Sequence, residues 1–396
     1  MATVIHTVQD GENLQRIAIR YLYDASRWPE IKQSNNLTRD DIYAGQILRI
    51  NTDEDPQEKT ADYDTVGLEI DGVALVNVPG VTLDLAVGVI APQFKLTLPN
   101  EAVYRDLVPP FGYQEVKVYY RDKRVFTGTV ISVAPDETAL TVAGYGVPGV
   151  LATVTLPRAM YPRTLRDQAL DAIAKKYCRP FGVKVVVEAA AEEAAKKKFA
   201  KTAIEHTETI GDYLIRLAKQ RGCILTSDAA GACVIARETE EREPMLDLEE
   251  PMTLTATYDG SKIYSDYYAM REGNRAHAFA EAKKQLNIKV FRHTTIQSRE
   301  RGGKEPLADF VASEIGRTML AAMTFNIDLP YVTDANGDLF EPRAVMRIVA
   351  PRRMIVQPTL FTVMTAALTF GETGDTAKLG LAPCDALANT WTEFWK

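Results

Sequence analysis

Histidines, cysteines and paired carboxylates are the side chains best able to do chemistry in this sequence, and their spacing argues against each obvious use. The four histidines, His6, His206, His277 and His293, lie far apart, and no HExxH or CxxC string brings ligands together, so no metal site is expected. No GxSxG elbow, no GxxxxGK[ST] loop and no GxGxxG after a strand is present. The glycine-rich GYGVPG (144–149) has no lysine, follows a β pattern and reads as a turn. Glu192-Glu193, Glu240-Glu241 and Glu249-Glu250 offer carboxylate pairs of the kind a glycan hydrolase needs about 5 to 9 Å apart. They lie in polar, wet stretches where nothing would raise a pKa. The sequence therefore nominates no catalytic residue, no cofactor and no metal ligand, and an enzyme is not expected.

Composition bounds the rest. With 396 residues, two to four domains are expected from a prior of roughly 100–200 residues per domain. Hydrophobic residues at 46% and charged residues at 25% fit a soluble globular chain. A net charge of −7 without a concentrated basic face gives no support for reading nucleic acid. The start, MATVIHTVQDGENL, lacks the basic segment and apolar run of a secretory signal, and no membrane-spanning stretch follows, so assembly in a cytoplasm is expected. Four cysteines are too few for a disulfide framework; Cys223 and Cys233 are expected to face each other across a hairpin as reduced core thiols.

The elements that must position any site begin with a compact βααβ unit over residues 1–51. Thr3 to Val8 alternates as a strand, Asp10-Gly11 turns it, and Leu14, Ile17 and Ala18 fall at helical spacing. Trp28 to Gln33 forms a second short helix started by Pro29 and ended before Asn35-Asn36, with Trp28 read as a core anchor, and Gln46 to Ile50 closes the unit. The strings DGENL, RWPEIKQSNNL and IYAGQILRI resemble the LysM family over the whole unit, and YDASRW looks like an insertion between its helices. The resemblance implies a shallow groove for N-acetylglucosamine polymers, or a docking surface in its place. Its residues here are Gly11, Glu12, Asn13 and Leu14 in one loop and Asn35, Asn36 and Leu37 in the other. Glu12, Asn13 and Asn36 read equally well as caps and turn residues.

Residues 52–65 are acidic and poor in apolar side chains, as a linker is. Residues 66–156 then read as strands: Val73–Val78, Phe94–Leu98, Glu115–Tyr120 and Val125–Val133, with Arg121 to Arg124 as a hairpin turn and Leu140–Gly144 as a further strand. Residues 157–250 are mixed. Thr164 and Asp167 suggest a capped helix through Tyr177, and EAAAEEAAKKKFAK (188–201) suggests an exposed helix with Glu192–Lys196 and Glu193–Lys197 pairs. TIGDYLIRLAKQRG (209–222) has a Thr cap, a Gly stop and an apolar stripe of Ile210, Leu214, Leu217 and Ala218, and a hairpin turned at Ser227 to Gly231 follows. Residues 251–396 return to strands at Thr253–Tyr258, Lys289–Phe291 and Ala344–Val349. A helix over Leu307–Met323 and a final hairpin, Leu360–Phe370 with Ala377–Leu381, complete the chain.

From Val66 onward the order of elements, carried by EVKVYYRDKRVFTGTVISV, DYLIRLAKQRGCILTSDAAGACVIAR and the strand pair ending in LGLAPCDAL, resembles the phage late-control or baseplate-hub family of contractile tails. That resemblance implies an α+β, predominantly β fold: a LysM module followed by two tube-type β-barrel domains flanking a mixed α+β domain. It also implies a homotrimer in which three chains imitate a sixfold ring and join a threefold spike to the tail tube. The implied partners are the chain itself, the spike, the tube or its initiator, and wedge or sheath-proximal baseplate proteins. DNA would pass through the bore unread. A hub at the tail axis of a virion has little access to a cell wall, so docking to a neighbour is favoured over peptidoglycan for the LysM module. A cell-surface peptidoglycan-binding protein and a tail-associated lysin are the rival readings.

Overall fold

The computed structural model describes all residues except 1, 10, 23, 53–65, 77–79, 122, 238–242, 272–277, 285–289, 299–306, 372–373, 385–393 and 396. The expected linker therefore lies outside the described residues beyond Thr52, as do Asp10, His277, Lys289 and Glu240-Glu241. The fold is predominantly β with seven α-helices among the described residues. It divides into two units, Met1–Arg237 with Ala367–Thr376, and Glu238–Ala366 with Ala377–Lys396.

The first unit opens with the expected βααβ arrangement. Strand Ala2–Thr7 pairs antiparallel with Ile47–Thr52, and helices Leu14–Leu22 and Trp28–Ser34 pack on them. The helical spacing of Leu14, Ile17, Ala18 and Tyr21 meets Val4, Leu48 and Ile50 in one buried cluster, against which Trp28 is half-buried. A run of antiparallel strands follows, in the spatial order Gly80–Ala86, Gln93–Pro99, Ala139–Gly146, Lys123–Pro135, Glu115–Tyr120, Val66–Ile70 and Val73–Val76. The two-residue Asp71-Gly72 turn has φ of 47° and 79°, the left-handed pair that suits the twist of a tight hairpin.

The edge of this run is not open. Ala2–Thr7 lies parallel to Val73–Val76, with Thr3 opposite Val73 and His6 opposite Val76. The N-terminal module is thus hydrogen-bonded strand to strand onto the following sheet, and the buried Tyr104 adds a hydrogen bond to the Thr7 side chain.

Two expectations in the mixed region are corrected. Thr164–Ala169 is a strand paired with Lys198–Ala203, and the helix begins only at Leu170. The Thr164/Asp167 spacing does not cap a helix, because pairing across the sheet holds Ala169 extended and Asp167 takes a φ of 51°. The 188–201 run is α-helical only over Glu192–Lys196, after a 3-10 turn at Ala189–Ala191, and there the Glu192–Lys196 ion pair forms. Lys197 is already extended, since Phe199 must turn into the core as part of a strand.

Helix Ile210–Gln220 is as expected, with Thr209 Oγ1 accepting from the Asp212 amide at 3.1 Å and Ile210, Leu214, Leu217 and Ala218 buried. The hairpin Ile224–Ser227 with Cys233–Ala236 also forms, but its register sets Cys233 opposite Ser227, so Cys223 does not face it. The buried Cys233 thiol is instead hydrogen-bonded to that of Cys178, and all four cysteines are free. GYGVPG is not a turn: Gly144 and Gly146 are in strand Ala139–Gly146, and a 3-10 helix, Val147–Ala152, follows.

The second unit is built on the order Thr255–Tyr258, Met323–Leu329, Thr376–Pro383, Ile355–Gly371, Val345–Ala350 and Leu246–Glu249, the last pair parallel. Phe325, Phe361 and Phe394 form its aromatic centre, with ring centroids 4.9 to 6.1 Å apart. Helix Leu307–Ala322 packs on a separate sheet of Ala278–Lys284, Asp266–Arg271 and His293–Ser298 through Val311, Tyr267 and Ala269. The strand expected at 289–291 is displaced: Val290 and Phe291 are exposed and precede His293–Ser298.

Candidate functional site

The seven nominated groove residues divide by what their side chains already hold. Glu12 is spent inside the module. Its Oε2 accepts from His6 Nε2 at 2.7 Å and from the Gln9 amide at 2.9 Å, and its Oε1 accepts from Arg20 at 2.7 Å. Its side chain is only 10% exposed. Leu14 is core, and Leu37 is half-buried against the same cluster. Asn35 works as an edge cover: its Oδ1 accepts from the Arg49 amide at 2.6 Å, and its Nδ2 donates to the Arg49 carbonyl at 2.7 Å. Ile47–Thr52 ends the strand order, so one amide side chain satisfies backbone groups that would otherwise offer pairing to another strand.

The exposed remainder is Gly11, Asn13 and Asn36. Gly11 turns the first loop at a φ of 78°, and Asn36 the second at 52°. Asn13 Oδ1 accepts from the Arg16 amide at 2.8 Å and so caps the helix that begins at Leu14.

His6 completes this network, and the sequence reading did not nominate it. The signal was its place between Val4 and Val8 in the alternation, which turns it inward. The ring is fully buried, and burial lowers its pKa below the ordinary 6.5 despite the Glu12 carboxylate beside it. Burial opposes ionisation of Glu12, but the Gln9 amide, His6 and Arg20 together hold its carboxyl below its ordinary range. Glu12 is therefore an ionised acceptor, so the neutral imidazole carries its proton on Nε2. Nδ1 then accepts from the Tyr21 hydroxyl at 3.0 Å.

Elsewhere the described residues contain no group of three or more His, Cys, Asp or Glu that could hold a metal ion. Glu192 and Glu193 share the short exposed helix, and Glu249 and Glu250 sit at the end of strand Leu246–Glu249. The mixed region is packed about Tyr177 and Tyr213, whose rings lie 5.9 Å apart, and burial pushes Tyr213 up to about 12. Arg216 grips Glu208 through two bonds of 2.8 Å and donates to the Ala203 carbonyl at 3.0 Å, which fixes the end of a strand. The hairpin turn is anchored too, with Thr127 Oγ1 donating to the Ala229 carbonyl at 2.7 Å.

Residues 158–237 match the family described as baseplate hub protein gp44-like, second domain, and residues 6–51 match the LysM domain. The baseplate hub protein gp44 of Escherichia phage Mu is 26% identical over 232 residues, covering 55% of this chain and 61% of that protein. The chain's match thus spans less than two thirds of this relative. A 43 kDa tail protein of prophage MuSo2 from Shewanella oneidensis shares the fold with a TM-score of 0.69 and 20% identity. That match takes in 82% of this chain and 99% of that one. A tail protein from Neisseria meningitidis matches with a TM-score of 0.70 and 16% identity over 82% and 98%.

Proposed function

We propose that this chain, in which a LysM domain at 6–51 precedes a baseplate-hub second domain at 158–237, is a non-enzymatic structural hub of a contractile phage tail or tail-like particle. The observation that carries this reading is the gp44-like match of the mixed region, set in a fold shared with prophage tail proteins over 82% of the chain. On this reading the β-rich regions 66–156 and 251–396 act as tube-type domains around the mixed insert 157–250. Three copies then offer six similar faces to the tube and join it to the spike, with DNA passing unread. Large obligate interfaces are required, on the order of 2,000 Å² or more.

The LysM domain would dock protein rather than glycan. Four of its seven nominated residues are committed to its own fold, and its first strand is paired to its own chain. Wedge or sheath-proximal proteins are the partners this position suits.

The purified chain is expected to run in light scattering at three times its 43.9 kDa, alone or with a spike protein. A mass of one copy at all concentrations, without a spike partner, would overturn the reading. Incubation with peptidoglycan sacculi should leave the protein in the supernatant. Retention that soluble N-acetylglucosamine oligomers compete away would return the LysM domain to glycan binding, and clearing of the sacculi would restore the lysin reading.

A further inference from the structure

The charge of this chain is unevenly distributed. Residues 158–237 hold fifteen Lys and Arg against nine Asp and Glu, a net +6 inside a chain of net −7, which leaves −13 for the rest. The sequence as a whole shows no concentrated basic face because strand pairing gathers one from separate segments. Strands Thr164–Ala169 and Lys198–Ala203 form a sheet of two, with no third strand on either side among the described residues. Their register sets Arg166 directly opposite Lys201, both exposed and on one face. Cross-strand partners lie about 4.5–5.5 Å apart at Cβ, where like charges oppose each other. Neither residue forms an ion pair among the described residues.

Phe199 lies on the buried side with Leu165, and the Arg221 guanidinium lies over its ring at 3.8 Å. Arg221 also donates to the Lys197 and Lys198 carbonyls at 3.3 and 3.1 Å, which ties the start of the second strand to the helix end. A two-stranded sheet is marginal by itself. This one spends stability on juxtaposed positive charge while its other face, at Leu165 and Thr202, is buried.

We propose that this face docks the acidic stretch 238–250 of a second copy of the chain. That stretch, ETEEREPMLDLEE, has seven carboxylates and one arginine; in its described part Glu243 and Glu249 are exposed, while Asp247 pairs with Arg347 at 3.1 Å. Charge complementarity selects the occupant: the basic region has its counter-charge within the same polypeptide, and a ring of copies presents each with its neighbour's. The contact joins unlike surfaces head to tail, the type that closes into a cyclic oligomer. The inference rests on the self-association proposed above and adds the surfaces that make it.

The test is the double variant Arg166→Glu/Lys201→Glu in the full chain, with Lys219→Glu as an exposed charge control from the same region. Sedimentation of the parent should show association that weakens between 50 and about 500 mM salt, as screening shortens the Debye length. The double variant should associate at least tenfold more weakly, with an unchanged circular dichroism melt, while the control matches the parent. Mixing it with Glu243→Lys/Glu249→Lys should restore mixed oligomers. A parent that associates but is indifferent to both the double variant and salt overturns this inference and leaves the hub reading standing; a parent that never associates removes both. If the double variant assembles normally but loses binding to a random-sequence DNA duplex, the face belongs to nucleic acid and the inference fails.

Discussion

Alanine at Gly144 should destabilise the first unit by more than about 3 kcal/mol, the upper end of what an added methyl costs in a packed interior. Gly144 is paired on both sides, to Phe94 and to Val130. A Cβ there would stand 1.9 Å from the Thr129 carbonyl oxygen and 2.7 Å from the Phe94 ring. A flexible side chain can rotate away from such an approach. The Thr129 carbonyl cannot, because its strand is fixed by the sheet, so one strand must separate from the other. The measurement is hydrogen exchange of the Gln93–Pro99, Ala139–Gly146 and Lys123–Pro135 amides, which should lose most of their protection together. Gly260→Ala is the matched control: nothing lies within 4 Å of its Cβ and its backbone needs no left-handed angle, so it should stay within about 0.5 kcal/mol of the parent.

Gly144 also shows where local sequence runs out. GYGVPG reads as a turn because glycine and proline crowd together, yet here glycine is chosen for a close approach of two strands, a property of the sheet and not of the segment. Thr164–Ala169 is similar: its capping pattern is real as a pattern, and a partner strand more than thirty residues on overrides it. The pairing of Ala2–Thr7 with Val73–Val76 left no trace that alternation alone could carry, since a strand on either side of Val73–Val76 would give the same residues. The elements that were legible are those closed by their own neighbours. Helix Ile210–Gln220 has its cap, stripe and stop within fourteen residues, and the βααβ module buries its own apolar face. Of the nominated groove, the loops were legible but their division of labour was not, because Glu12 and Asn35 are satisfied by partners that only the fold brings near.

Glu12→Ala tests that division most sharply. Were Glu12 a ligand-binding side chain, its loss would leave the LysM module as stable as before. As an internal strut it leaves the buried His6 Nε2 proton without its acceptor, at a cost of about 1–3 kcal/mol, and frees the exposed Gln9 amide to water at little cost. Loss of the half-exposed Arg20 pair adds little. Hydrogen exchange in Ala2–Thr7 and Ile47–Thr52 should rise by one to two orders of magnitude, and Glu12→Gln, which keeps an acceptor, should recover part of it.

The pH dependence of the same amides gives an independent reading. The folded His6 pKa is depressed, so below its ordinary 6.5 the unfolded module takes up a proton that the folded module refuses. Stability is therefore full above about pH 6.5 and declines as pH falls, by at most about 1.4 kcal/mol per unit. The depressed Glu12 carboxyl extends the decline below its ordinary 4.5. His6→Gln should flatten the upper part of this profile and, because His6 also helps hold the Glu12 carboxyl down, shrink the lower part while the Gln9 amide and Arg20 keep some of it. A module whose exchange rates, corrected for intrinsic chemistry, stay level from pH 7 to 5 would mean that the buried imidazole accepts its proton beside Glu12, and the strut would then be an ion pair.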